Sequence, residues 1–216
     1  MSDYIKPEIA CERLIRKLKE KGISNDKVLE SFRKVPRHLF VDGAMYAQAY
    51  DDNALPIGSG QTISQPSVVA LMTEKLELGK DDKILEIGTG SGFQTAILAQ
   101  FSRRVYTIER QRILGETARK RLREMGCLNV VFKVGDGSCG WPQHSPFDRI
   151  IVTAGAPVTP IKLADQLAMG GLMIIPTGER QHQELMLYRK TEQGLLSRCI
   201  ADVVFVPLIG EQGWDK

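Results

Sequence analysis

The chain has 216 residues, of which 29 are basic and 26 acidic, for a net charge of +3. That length suits one large α/β domain with a substantial core, and so small an imbalance of charge calls for neither nucleic acid nor an anionic membrane as partner. Four cysteines, Cys11, Cys127, Cys139 and Cys199, show no C-x-x-C pair and no zinc-cluster spacing, so reduced thiols in a cytoplasmic protein are expected, with no metal site. Asp3, Lys6, Glu8 and Glu12 interrupt the apolar run a signal peptide needs, and later apolar runs are too short to span a membrane.

Taken in chain order, Ile9, Leu14, Ile15 and Leu18 form one helical stripe. Val28, Leu29 and Phe32 form another, which Pro36 stops. Pro56, Gly58, Gly60 and Pro66 make residues 53–66 read as an irregular loop, with a helix beginning near Ser67. From Lys83 onward strands and helices alternate. After a strand ending in a glycine turn come helix 94–101, strand 104–109, helix 111–125 and strand 130–134, then strand 147–153, helix 158–168 and strand 171–176. This order predicts a doubly wound, Rossmann-like sheet, mostly parallel, with helices on both faces. Segments 184–189 and 199–206 have no helix between them, only the turn Glu192-Gln193-Gly194, which predicts an antiparallel hairpin at the carboxyl end. Without repeats or linkers the chain reads as a single domain, residues 1–66 being a helical elaboration with a loop and residues 67–216 the α/β core.

The run from Lys83 to Leu98 is the most informative. A buried strand carrying Glu86 enters a turn with Gly88, Gly90, Ser91 and Gly92 and leaves it as a helix. Glycines let the backbone approach a ligand and adopt positive φ. The dinucleotide fingerprint would put its third small residue at position 93, where this chain has Phe93. Glu109 closes the next strand roughly 20 residues on, where such sheets offer a carboxylate to ribose hydroxyls. The combination predicts a nucleoside without a pyrophosphate. Asp136 and Gly137 follow the strand 130–134, and ligands of open α/β sheets bind at such strand ends. Asp136 is placed to accept from an adenine amino group, with Gly137 against the ring, although an ordinary Asp-Gly turn reads the same way. The basic run Arg119-Lys120-Arg121 with Arg123, preceded by Glu116, reads as a solvated helix face.

These features resemble the S-adenosylmethionine-dependent methyltransferases of the seven-stranded class. Three further segments, Val35–Val41, Leu55–Pro66 and Val204–Leu208, resemble one group within it, the protein-L-isoaspartate O-methyltransferase family. Segments 147–154 and 170–178 look like later strands of the same family, and Gln61-Thr62-Ile63-Ser64 is the most specific part of the match. The resemblance implies transfer of a methyl group from S-adenosyl-L-methionine to the α-carboxylate of isoaspartyl residues in damaged proteins and peptides. The products would be a methyl ester and S-adenosyl-L-homocysteine. It also implies donor contacts at Gln61, Thr62, Ile63, Ser64, Glu86, Gly88, Gly90, Ser91, Gly92, Glu109, Asp136 and Gly137, a catalytic role for Ser64, and a peptide groove at Val206 and Pro207. A monomer acting on isoaspartyl polypeptides, with neither nucleic acid nor membrane as partner, is the expected assembly. Gln61 departs from the small apolar residue that eukaryotic relatives carry, and residues 181–198 match weakly.

The chemistry asks little of the protein. An α-carboxyl group has a pKa near 3.5, so the attacking oxygen is already an anion at neutral pH and needs no general base. Alignment of the reacting atoms is then the main task, worth up to roughly 7–11 kcal/mol. Ser64, with no base in view to make it a nucleophile, would donate a hydrogen bond to the acceptor. Alternatively Thr62 and Ser64 merely cap the helix near Ser67. Arg37 and His38 read as structural. Competing readings are a methyltransferase for a small molecule or nucleic acid, a nicotinamide-dependent oxidoreductase, which Phe93 counts against, and a non-catalytic nucleoside-binding module.

Overall fold

A computed structural model describes residues 6–215, so Asp3 and both chain ends lie outside the described residues. Helix α1 (Pro7–Glu20) starts with proline at its first position, where the missing N–H costs nothing. Helix α2 (Asp26–Lys34) is capped by Asn25, whose side chain accepts from the Lys27 and Val28 amides at 3.0 and 3.3 Å. Their buried stripes are those the spacing predicts, with one correction. Ile9 is 50% exposed, because five residues at about 100° each turn it some 140° away from Leu14.

The segment expected to be irregular contains a small hairpin. Strand β1 (Leu55–Gly58) pairs antiparallel with β2 (Gln61–Ile63). Gly58, Ser59 and Gly60 all have positive φ, at 86°, 52° and 67°, which turns the chain within three residues. Helix α3 (Pro66–Lys75) follows at once, and its amino end is not capped by Thr62 or Ser64. Asp52 does that work from outside, accepting from the Ser67 amide at 2.8 Å, from Gln65 at 3.1 Å and from Lys21 at 2.6 Å.

The main sheet has seven strands: β3 (Lys83–Ile87), β4 (Arg104–Glu109), β5 (Val130–Val134), β6 (Phe147–Val152), β7 (Leu167–Glu179), β8 (His182–Thr191) and β9 (Gly194–Val203). Their order is β5-β4-β3-β6-β7-β8-β9. The first five are parallel, and β8 and β9 run antiparallel to their neighbours. The chain works outward from β3 to β5, then returns to the other side of β3 as β6. That reversal opens a gap at the strand ends, the place where open α/β sheets hold ligands.

Helices α4 (Phe93–Ala99) and α5 (Arg112–Glu124) lie close to the expected spans. The helix expected over 158–168 shrinks to α6 (Ile161–Asp165). Pro160 disfavours helical geometry in Thr159 before it, while Gln166 leaves the helix to bind the Trp141 amide and the Cys139 carbonyl. Residues 204–206, expected in the last strand, leave the sheet beyond Val203, and Val206 instead accepts from the Gly155 amide at 2.8 Å.

Phe93, the residue that breaks the dinucleotide fingerprint, explains why the amino-terminal layer sits where it does. Its ring is 1% exposed and meets Phe32 and Phe40 edge-on, with centroids 5.7 and 5.4 Å away, and the Arg37 guanidinium lies 5.0 Å from its centroid. Phe93 thus belongs to a core shared with α1, α2 and the β1–β2 hairpin. Truncating Phe93 to Ala should cost about 3–5 kcal/mol of stability, the usual range for a buried phenylalanine. Urea unfolding measures this, and a loss below about 1 kcal/mol would show that the ring does not hold the layer.

Candidate active site

A crevice opens at the carboxyl ends of four adjacent strands. It is lined after β3 by residues 87–91, after β4 by 108–111, after β5 by Gly137, and after β6 by Thr153 and Ala154. Residues 61–64 close it from the amino-terminal side, and 206–209 from the carboxyl-terminal side. Eleven of the expected donor contacts or groove residues meet here: Gln61, Thr62, Ile63, Ser64, Gly88, Gly90, Ser91, Glu109, Gly137, Val206 and Pro207.

The turn is shaped by contacts that only glycine permits. A β-carbon on Gly88 would sit 2.3 Å from the Thr153 hydroxyl, and its φ is 97°. In the space so left, Thr153 donates to the Gly88 and Ile87 carbonyls, at 2.7 and 3.0 Å. Gly137 is equally confined, since a β-carbon there would meet the Ile87 side chain at 2.6 Å. Glu109 ties the turn to the next strand: one carboxylate oxygen accepts from the Gly90 amide at 2.8 Å, the other from Gln111 at 2.7 Å. A carboxylate oxygen has two lone pairs. Each therefore retains capacity for a hydroxyl in the crevice.

Three expected contacts lie elsewhere. Glu86 is fully buried beneath the turn and does not line the crevice. One of its oxygens accepts from Thr95 at 2.6 Å and Thr107 at 2.7 Å, and Thr107 in turn meets Thr89 at 2.6 Å. Gly92 packs the amino end of α4 onto α5, where a β-carbon would press on Leu122 at 3.1 Å and Ala118 at 3.3 Å. Asp136 sits outside the lining because its carboxylate is engaged by the Ser138 amide and hydroxyl, at 2.8 and 2.7 Å, and by the Glu211 amide at 2.8 Å. It therefore fastens the carboxyl-terminal segment to the loop that carries Gly137.

Ser64 stands between this crevice and a second groove, formed by Ala54, Gln65, Val68, His182 and the segment 202–206. Thr62, Thr153 and Val206 also border both. Among the described residues the Ser64 hydroxyl makes no hydrogen bond, and with Asp52 already capping α3 the capping explanation for it falls away.

Residues 10–213 match the profile of the family described as protein-L-isoaspartate(D-aspartate) O-methyltransferase. The chain belongs to that family. It is 55% identical over 209 residues to the protein-L-isoaspartate O-methyltransferase of Trichlorobacter lovleyi, covering 96% of each chain. It is 51% identical over 214 residues to that of Dictyoglomus turgidum, covering 98% of this chain and 97% of the other. A solved protein-L-isoaspartate O-methyltransferase superposes with a TM-score of 0.86 at 31% identity, over 94% of this chain and 67% of that one. A Plasmodium falciparum homologue solved with S-adenosyl-L-homocysteine gives 0.80 at 26% identity, over 91% of this chain and 97% of that one. The chain is accordingly a methyltransferase, and its seven-stranded sheet is the family's fold.

Within this protein-L-isoaspartate O-methyltransferase fold, several contributors escaped the sequence. Thr153 is one, although it ends an expected strand at the point where the strand order reverses, which is a usable signal. Asp52 and Gln94 are others. Gln94 lines the crevice and donates to Thr73 at 3.1 Å. Arg37 and His38 stay away from the crevice lining. The Arg37 side chain is 1% exposed and reaches the Asn53 carbonyl at 3.2 Å, and burial pulls its pKa down to about 9. His38 pairs with the Tyr50 hydroxyl at 2.7 Å.

Burial pushes the Glu86 carboxyl up to about 8, against the downward pull of the Thr95 and Thr107 hydroxyls. The folded protein therefore keeps a proton that the unfolded chain releases above its ordinary pKa of 4.5. This contribution to stability is complete below that value and is lost as pH rises towards about 8. At about 1.4 kcal/mol per pH unit, the parent should lose about 2–3 kcal/mol more stability than Glu86→Gln between roughly pH 5.5 and 7.5. Urea unfolding of both proteins at the two pH values checks this, and parallel losses would contradict it.

Proposed function

We propose that this methyltransferase esterifies the α-carboxylate of isoaspartyl residues in polypeptides, using S-adenosyl-L-methionine held in the strand-end crevice. The observation that carries the reading is the position of Ser64, whose free hydroxyl stands on the wall shared by the crevice and the second groove. The residues fit the donor: Glu109 faces the crevice with lone pairs for a ribose diol, and Gly88, Gly90 and Gly137 leave room for a ligand against the backbone. When bound, S-adenosyl-L-methionine supplies a methyl group already activated by a sulfonium sulfur.

What this chain contributes is orientation. Ser64 donates its hydroxyl proton in a hydrogen bond to one oxygen of the acceptor carboxylate, leaving the other free to face the methyl group. The acceptor is ionised at neutral pH, so no residue has to remove a proton, and the lack of a neighbouring base is no obstacle. Ile63 and Val69, both buried, form the apolar backing of the crevice near that point and limit water. Glu86, Gly92 and Asp136 act by shaping the turn, the α4–α5 contact and the carboxyl-terminal segment.

Paired peptides that differ only in normal or isoaspartyl linkage test the function. Methyl transfer from labelled donor should go to the isoaspartyl member alone, and equal labelling of both would overturn the reading. Ser64→Ala should lower kcat on the isoaspartyl peptide about 100-fold, in line with lost alignment, while donor affinity from calorimetry stays within about threefold. An unchanged kcat would remove Ser64 from the mechanism. Glu109→Ala should weaken S-adenosyl-L-homocysteine binding at least about tenfold, since the variant lacks both acceptors and loosens the Gly90 amide. An unchanged isotherm would show the ribose lies elsewhere.

A further inference from the structure

Beneath the glycine turn lies a carboxyl group that the methyl-transfer chemistry does not use. Glu86 is fully buried, and its Oε1 makes no hydrogen bond among the described residues. Its polar contacts converge on Oε2, where Thr95 and Thr107 both donate. Ionised, the group would leave one charged oxygen unsatisfied in the interior, which costs far more than an unsatisfied neutral one. No cation is among the groups that act on it. Its neighbours across the sheet are Thr107 on β4 and Ile151 on β6, α4 supplies Thr95, and the charged group that acts on it is Glu109, an anion that raises its pKa further. Arg110 borders the crevice, but the carboxylate it acts on is Asp136.

Little separates this carboxyl from the crevice. Gly88 follows Glu86 by two residues, and residues 87–91 line the cavity. The Thr107 hydroxyl that donates to Glu86 lies 2.6 Å from the Thr89 hydroxyl, and Thr89 is one of the lining residues. With the Thr107 proton committed to Glu86, Thr89 must donate to Thr107, so the three groups form one oriented chain from the crevice wall to the carboxyl. A charge in the crevice therefore acts on Glu86 through a short stretch of protein interior, and a proton leaving Glu86 has hydroxyls to follow outward.

Donor and product differ by one such charge. S-adenosyl-L-methionine carries a positive sulfonium, and methyl transfer leaves S-adenosyl-L-homocysteine with a neutral sulfur. We infer that Glu86 lets the crevice distinguish the two: it releases its proton to solvent by way of Thr107 and Thr89 when the cationic donor binds, and recovers one when the sulfur becomes neutral. This deepens the proposed function, resting on its placement of the donor, and makes a residue outside the crevice lining a determinant of which ligand is held. At a separation of about 10 Å and an effective dielectric constant of about 20, one unit charge is worth on the order of tenfold in affinity. The preference has a definite pH dependence. At low pH Glu86 is neutral with either ligand and contributes nothing, and as pH climbs towards about 8 the donor gains over the product.

Calorimetric titration of the parent and Glu86→Gln with each ligand, from roughly pH 6.5 to 8.5, is the test. Divided by the same ratio in the variant, which cancels titration of the ligands' own amino groups, the parent's ratio of donor to product affinity should rise about five- to tenfold across that range. Near about pH 7.5, binding heats in buffers of different ionisation enthalpy should show the parent releasing about half a proton more than the variant per donor bound, with no difference for the product. An infrared difference spectrum of the parent gives a second reading that does not depend on the variant's folding. The band of a protonated carboxyl should be lost on donor binding and kept on product binding. A flat corrected ratio, or a carboxyl band unchanged by the donor, would overturn the role of Glu86 while leaving the donor site standing. Failure of both ligands to bind would instead refute the function on which it rests.

Discussion

The close approach of the Thr153 hydroxyl to the Gly88 main chain is the constraint from which the rest follows. With no β-carbon at residue 88, Thr153 just past β6 can reach over the end of β3, its hydroxyl proton shared between the Ile87 and Gly88 carbonyls. The two strands on either side of the reversal are thereby joined at their tips, where a gap in an open sheet would otherwise be loosest. Glu109 makes the equivalent tie on the other side, from β4 to the Gly90 amide. Together they set the turn's backbone between two fixed points, so the crevice is preformed and its walls need little ordering when a ligand arrives.

The second constraint comes from the opposite direction. Phe93 follows the glycine turn and plants a large ring in the amino-terminal core, against Phe32, Phe40 and Arg37. Arg37 reaches the carbonyl of Asn53, next to the Asp52 that caps α3. A line of packed contacts therefore runs from the donor turn to the segment bearing Ser64, and the two halves of the site are placed relative to each other by apolar burial rather than by polar contacts across the cavity. That leaves the Ser64 hydroxyl unspent, which suits a group whose task is to donate to an incoming carboxylate.

Much of this was legible in the sequence, and the reasons for the failures are physical. The parallel strands β4 and β5 fall where expected because β-branched and aromatic residues fill both, although only β4 is largely buried and β5 is the half-exposed edge of the sheet. The β1–β2 hairpin escaped because its strands are only four and three residues long, below the length at which alternation can be read. The helix expected over 158–168 is shorter because Val158 and Ile161, spaced like a buried stripe, are 68% and 62% exposed and anchor nothing. Within the site, glycines and strand-end acids mark themselves by spacing. Glu86 misled because its position in the motif says nothing of the direction its side chain takes, and it turns inward to Thr95 and Thr107. Thr153 acts across 65 residues of sequence, on a partner no local pattern announces.

A crystal structure of the enzyme with S-adenosyl-L-homocysteine and an isoaspartyl peptide bound together would show whether donor and acceptor meet at Ser64. The nucleoside should lie along the four strand tips with its ribose hydroxyls on Glu109, and the isoaspartyl α-carboxylate should receive the Ser64 hydroxyl from the groove side. A nucleoside bound away from Glu109, or a peptide carboxylate that reaches the donor without passing Ser64, would contradict the account.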